Sequence, residues 1–132
     1  MSYPVYNMAL ALAAPAARLW LRRHPVHAPL LERFSAAAPE AGRGGLWVQA
    51  CSVGEVNAAR PILDRLAEEL PEVPRLLTVS TVSGRDHAAR VCADVPRAWF
   101  PFDTPAAVRA FLAQARPRVL VLLETELWPN VV

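Results

Sequence analysis

The residues of this chain best placed to do chemistry are acids that close apolar runs. Ser52-Val53-Gly54-Glu55 follows the apolar run 46–51, and Glu124-Thr125-Glu126 follows Leu120-Val121-Leu122-Leu123 without a spacer. A carboxylate at the end of a strand, just where a helix begins, lies where open α/β sheets hold their ligands. Two readings of Glu55 compete. As a first-turn acid it would stabilise the helix dipole by about 0.3–1 kcal/mol. As a general base it would be ready in its ionised form but weak, acting late as charge develops on an attacking hydroxyl. Gly54 would let backbone and ligand approach closely, and the first-turn amides next to Ser52 could meet an anion or a sugar hydroxyl. At least one of Glu124 and Glu126 should lie at the sheet's edge, where an arginine would satisfy it as structure and a substrate hydroxyl or amine would make it functional. Thr81-Val82-Ser83-Gly84-Arg85 combines hydroxyls, a flexible glycine and a cation. It could grip a phosphate or carboxylate, or it could be a helix cap with a solvated arginine.

Other chemistries find less support. Neither GxGxxG nor GxxxxGK[ST] follows a strand, and Gly42-Arg43-Gly44-Gly45 precedes one. That order disfavours a dinucleotide dehydrogenase, a P-loop NTPase or another soluble nucleotide-binding domain. Cys51 and Cys92 form no CxxC pair or disulfide framework, and no Cys/His cluster suggests a metal, so neither metal nor cofactor is expected. Cys51 reads as a small buried residue at a strand end rather than a nucleophile. His24, His27 and His87 stand beside no Ser or Cys that would make a catalytic pair. The formal charge of +2 is too small to argue for nucleic acid, and none is expected as a partner.

The elements that must position these groups follow from periodicity. Helices are expected near 4–22 and 28–37, with a turn at His24-Pro25-Val26-His27 and a Gly/Pro-rich loop over 38–45. Strands are expected over 46–51, 75–80, 97–100 and 118–123. The helix expected over 55–70 has an apolar stripe of Val56, Ala59, Ile62, Leu63, Leu66 and Leu70. Its Pro61 marks either a kink or the true first turn after Asn57. Residues 81–85 read as a turn leading to a helix over about 86–93. Asp103 or Thr104 is suited to cap the helix 105–115. Strands this apolar, alternating with helices, predict an α/β fold: a parallel sheet covered by helices on both faces. An apolar fraction of 54% is enough for a real core in a domain of 132 residues.

The N-terminal run from Met8 to Leu21 is interrupted by Pro15 and Arg18, and it is shorter than the roughly 20 residues of a membrane span. Its positive residues Arg18, Arg22 and Arg23 sit late in the run or after it, the reverse of a signal peptide. An interfacial helix with basic flanks is preferred over an ordinary core helix, with Tyr6 and Trp20 suited to headgroup depth.

In this order, Leu46-Trp47-Val48, Ser52-Val53-Gly54-Glu55-Val56, Thr81-Val82-Ser83-Gly84-Arg85, Pro101-Phe102-Asp103-Thr104-Pro105 and Glu124-Thr125-Glu126-Leu127-Trp128-Pro129-Asn130 resemble the N-terminal half of the 3-deoxy-D-manno-octulosonic acid (Kdo) transferases. Tyr6-Asn7 and Glu32-Arg33-Phe34 also fit, so the likeness runs along almost the whole chain. Gln49 departs from it, standing where the family often has His. The resemblance implies the first Rossmann-like domain of a two-domain GT-B glycosyltransferase. Its parts would be a membrane-proximal helix over 1–23, a connection over 24–45 and an acceptor-binding domain over 46–132. It also implies transfer of Kdo from CMP-Kdo to a lipid A precursor in lipopolysaccharide synthesis, with inversion and without metal, at the cytoplasmic face of the bacterial inner membrane. Glu55 would be the general base, and Glu124 or Glu126 a second essential acid. Ser52, Gly54, Thr81 and Arg85 would line the site. A second domain beyond Val132 would make most of the nucleotide-sugar contacts, so the chain alone would bind an acceptor without turning over. The alternative is a non-catalytic lipid-surface binding module.

Overall fold

The four apolar runs become strands β1 (Leu46–Ala50), β2 (Arg75–Val79), β3 (Arg97–Trp99) and β4 (Val119–Leu122). In the computed structural model, which describes residues 3–124 and 127–132, they form one parallel sheet in the order β3-β2-β1-β4. The register sets Gln49 beside Thr78 on one side and Leu122 on the other. Helices α2 (Val53–Glu69) and α3 (Val82–Val91) connect β1 to β2 and β2 to β3, stepping outward in one direction. Helix α4 (Pro105–Ala115) returns from β3 across the sheet to β4. Right-handed crossovers therefore put α2 and α3 on one face and α4 on the other. The expected α/β architecture, with helices on both faces, is what the chain adopts.

Side chains on each face explain why the layers hold. Val56, Ala59 and Leu63 are the buried stripe of α2, spaced to cover one side of the sheet. Opposite them, the indole of Trp47 packs at 5.0 Å against Phe111 of α4 and at 5.6 Å against Phe100. Full burial of each such side chain contributes about 1.5–3 kcal/mol. Arg60 of α2 ion-pairs with Asp64 and with Asp94 beyond α3, and its hydrogen bond holds the Asp94 carboxyl below the usual range.

Several expectations change. Residues 25–35 wind as 3₁₀ turns, Pro25–Ser35, instead of an α-helix over 28–37. The glycine-rich loop contains a single 3₁₀ turn, Glu40–Gly42. Helix α2 begins at Val53 and continues through Pro61, so Ser52 and not Asn57 stands at its start. Helix α3 begins at Val82, and the segment read as a turn is its first turn. Thr81 caps it by accepting from the Gly84 amide at 3.1 Å. Thr104 caps α4 through the Ala107 amide.

Asp103, the other residue suited to that cap, is spent elsewhere. It is buried, accepts from the Tyr6 hydroxyl at 2.7 Å, and takes the Asn130 amide at 3.0 and 3.2 Å. Asn130 in turn donates from its side chain to the Asp103 carbonyl at 2.6 Å and to Asn7 Oδ1 at 2.8 Å. This hub fastens the first helix, α1 (Tyr3–Arg23), to the loop after β3 and to the C-terminal segment. The outward side of α1 keeps Val5, Met8, Leu12 and Leu19 exposed, with Trp20 exposed near its end. Among the described residues no helix is long and apolar enough to cross a membrane.

Candidate functional site

Reversal of strand order beside β1 creates the site. The chain leaves β1 toward α2 on one face and enters β4 from α4 on the other, the topology that in open α/β sheets leaves a crevice between the carboxyl ends. Ligands of open α/β sheets bind at such a switch point. Glu55 follows β1, and Glu124 follows β4. The Leu123 amide donates to the Gln49 carbonyl at 3.2 Å, which keeps the two strand ends level. The same register carries Cys51 and Glu124 out of the sheet together.

Glu55 lies in the third position of α2, where the helix dipole favours its charge. One carboxylate oxygen accepts from the Cys51 amide at 2.6 Å, and the other from the Ser52 hydroxyl at 3.0 Å. A capping box would send this acid to the amide of the residue that starts the helix; here it reaches one residue further back. Ser52 makes no side-chain bond to the first-turn amides, because its hydroxyl is turned to Glu55. The positive end of α2 therefore faces the crevice without a cap from Ser52, a setting that receives anions and hydroxyl oxygens.

Gly54 is exposed on the same turn, and a Cβ there would meet only Ser52 Oγ, at 4.0 Å. Packing does not require glycine at this position. Gly54→Ala should stabilise the fold by about 0.4–1 kcal/mol, while impairing any reaction in which a ligand uses that space. Thermal unfolding and ligand affinity, measured on the same preparation, check this; unchanged affinity would remove Gly54 from the site. Gly84 is the opposite case. A Cβ there would come within 2.8 Å of Thr81 Oγ1 and 3.0 Å of the Cys51 carbonyl oxygen, so its bareness lets α3 seat against the end of β1.

Thr81 joins the group through backbone. Its hydroxyl donates to the Cys51 carbonyl at 2.9 Å, alongside the Ser80 amide at 3.4 Å. A cleft of about 460 Å³ opens next to it, lined by Val26, His27, Leu30, Ser80, Thr81 and Ser83 among others. Arg85 is not brought to Glu55. It pairs with Glu32 at 3.0 Å and lies 4.5 Å over the ring of Trp99, on β3, two strands from β1. It is not a freely solvated arginine either, since Trp99 donates to the same Glu32 oxygen at 3.0 Å. Glu124 is exposed and holds a left-handed backbone at φ 60°, a conformation that costs a non-glycine residue about 1–3 kcal/mol. Glu126 lies outside the described residues. Cys51 is half-buried rather than buried.

Sequence reasoning missed the polar framework beneath the crevice. Trp47 Nε1 donates to Thr78 Oγ1 at 2.7 Å, Thr78 Oγ1 donates to Gln49 Oε1 at 2.6 Å, and Gln49 Nε2 donates to Ser80 Oγ at 2.8 Å. Gln49 is thus an internal brace between β1 and β2, with both ends of its amide engaged. Arg33 is buried, and its guanidinium donates to the Phe100 and Ser80 carbonyls at 2.8 and 3.1 Å. It ties the ends of β2 and β3 together beneath the 3₁₀ segment. The isolated polar residues Gln49, Thr78 and Ser80 in otherwise apolar runs were the available signal for the first network. Nothing in spacing distinguished Arg33 from the chain's other arginines.

Relatives of known description share this arrangement of sequence. A family model described as 3-deoxy-D-manno-octulosonic-acid transferase (kdotransferase) matches residues 17–132. A 3-deoxy-D-manno-octulosonic acid transferase of Bordetella pertussis is 36% identical over 99% of this chain and 34% of its own length. The protein of the same description in Haemophilus influenzae is 33% identical, over 67% of this chain and 21% of its own. That of Aquifex aeolicus is 32% identical, over 68% and 25%. The chain spans about a third of the Bordetella relative and less of the others. With the match extending from within α1 to Val132, the chain belongs to the 3-deoxy-D-manno-octulosonic-acid transferase family.

Proposed function

We propose that this chain is the acceptor-binding part of a Kdo transferase of GT-B architecture, with Glu55 as its general base. The observation that carries the reading is the place of Glu55: on the first turn of the helix after β1, at the switch point between β1 and β4. In the reaction, a hydroxyl of a lipid A precursor attacks the anomeric carbon of Kdo. The new C–O bond forms as the bond to the phosphate of CMP breaks, with inversion. The hydroxyl proton passes to Glu55, and CMP departs with the bonding electrons. A second domain would hold most of CMP-Kdo. Glu124, which follows β4 across from Glu55, or else Glu126 is the second acid, with Ser52 and Gly54 lining the acceptor side.

The acceptor is a lipid, and α1 offers a means of meeting it. Its exposed row of Val5, Met8, Leu12 and Leu19 leads to Trp20, Arg22 and Arg23. Such a face suits the interface of an anionic bilayer, here the cytoplasmic face of the inner membrane. The non-catalytic alternative is favoured by one observation: both carboxylate oxygens of Glu55 already have local partners, as a purely capping acid would.

Two measurements test the reading in a transferase-length protein carrying this chain. Incubation with CMP-Kdo and lipid A precursor should release CMP and yield a Kdo-bearing lipid; binding of the lipid without product would favour the non-catalytic module. Flotation with anionic vesicles should be lost when Leu12 and Leu19 are both changed to Glu. Unchanged flotation would remove α1 from the membrane contact.

A further inference from the structure

We propose that Thr81 is a positioning residue for the Glu55 carboxylate, acting through the backbone of Cys51 rather than by touching substrate. The inference rests on the reading of Glu55 as the base. The Thr81 hydroxyl has two bonds: it accepts from the Gly84 amide at 3.1 Å and donates to the Cys51 carbonyl at 2.9 Å. On the other side of that residue, the Cys51 amide donates to Glu55 Oε2 at 2.6 Å. One hydroxyl therefore ties together the first turn of α3, the exit from β1 and the acid on the first turn of α2. The contact is tight: the missing side chain of Gly84 allows α3 to come within 3.0 Å of the Cys51 carbonyl, measured from an added Cβ. Ser80 is held at the same place by Gln49 and Arg33, and its amide gives the Cys51 carbonyl a second, longer bond at 3.4 Å.

This arrangement has a directional consequence. A carboxylate held on a single side-chain hydroxyl would be free to swing about its own torsions. Held also on the Cys51 N–H, it is only as fixed as the backbone at Cys51. The hydroxyl of Thr81 holds the next peptide plane, between Cys51 and Ser52, and Ser52 carries the hydroxyl that bonds the other Glu55 oxygen, so Thr81 steadies the direction in which Glu55 presents its outer lone pairs to the crevice. Loss of the hydroxyl misplaces the base by a fraction of an ångström to an ångström, an error that costs turnover far more than it costs binding.

The test compares Thr81→Val, Thr81→Ser, Thr104→Val and Glu55→Gln in a transferase-length protein carrying this chain. Thr104 is the control because it caps α4 in the same way and takes no part in the site. Thr81→Val should lower kcat by about 10- to 100-fold with acceptor KM changed less than twofold, and Thr81→Ser should restore kcat. Thr104→Val should lose thermal stability like Thr81→Val but keep wild-type kcat. A raised acceptor KM with unchanged kcat in Thr81→Val would overturn the inference in favour of direct binding. So would an equal fall of kcat in Thr104→Val, which would mark general loosening. If Glu55→Gln is inactive while Thr81→Val turns over normally, only the positioning role fails. If Glu55→Gln is fully active, the base assignment beneath it fails as well.

Discussion

Replacing Glu55 by Gln should lower turnover by about 10²–10⁴-fold and leave the fold almost untouched. The amide is close in size and shape to the carboxylate. Its oxygen can still accept from the Cys51 amide, and its nitrogen can meet Ser52 Oγ as a donor, so most of the local bonding survives. What is lost is the charge at the start of α2, with a stability effect of about 0.3–1 kcal/mol, and the capacity to accept a proton. The two readings of this residue therefore separate cleanly. A base gives a large fall in kcat with a small shift in unfolding midpoint; a cap gives the small shift alone. Turnover within twofold of wild type would end the base assignment.

The largest stability effect is expected at Asp103. Asp103→Ala would leave the Tyr6 hydroxyl and the Asn130 amide without the buried carboxylate that receives both. Charge-assisted bonds of this kind contribute about 1.5–3 kcal/mol each. A loss of about 3 kcal/mol in urea unfolding is expected, with α1 and the C-terminal segment released first. Tyr6 supplies an independent readout. Burial, and then the hydrogen bond and charge of Asp103, push its phenol from 10.0 up to about 12. A phenol that ionises later in the folded state stabilises the fold below pH 10, and this contribution is lost as pH rises through about 12. In Asp103→Ala the phenol should ionise earlier, seen as a shift of the 295 nm absorbance titration that Tyr6→Phe abolishes. An unchanged titration together with unchanged stability would show the hub to be incidental.

Membership in the Kdo transferase family and the place of Glu55 after the first strand were legible in the residues themselves. A short apolar run ending in Ser-Val-Gly-Glu, followed by a 3.6-residue stripe, has few ways to fold. The boundaries of α3 were less legible. Thr81 to Arg85 has the composition of a turn, but Thr81 caps these residues as a helix and bare Gly84 seats that first turn against the Cys51 carbonyl. Arg85 illustrates the same limit. A cation after a strand can point to either side of its helix, and its direction here follows from Glu32 and Trp99, which lie 53 residues before it and on the neighbouring strand.

By itself the sequence determined the alternation of strands and helices, the parallel sheet and the acids at its rim, because these depend on periodicity and on neighbours a few residues apart. Tertiary structure alone decided that Gln49 braces two strands, that Asp103 joins α1 to the segment after β4 instead of capping α4, and that Thr81 and Glu55 meet on the backbone of one residue, Cys51. Those outcomes depend on which distant partners arrive within hydrogen-bond reach. A donor buried by folding must take the acceptor that the strand order brings to it.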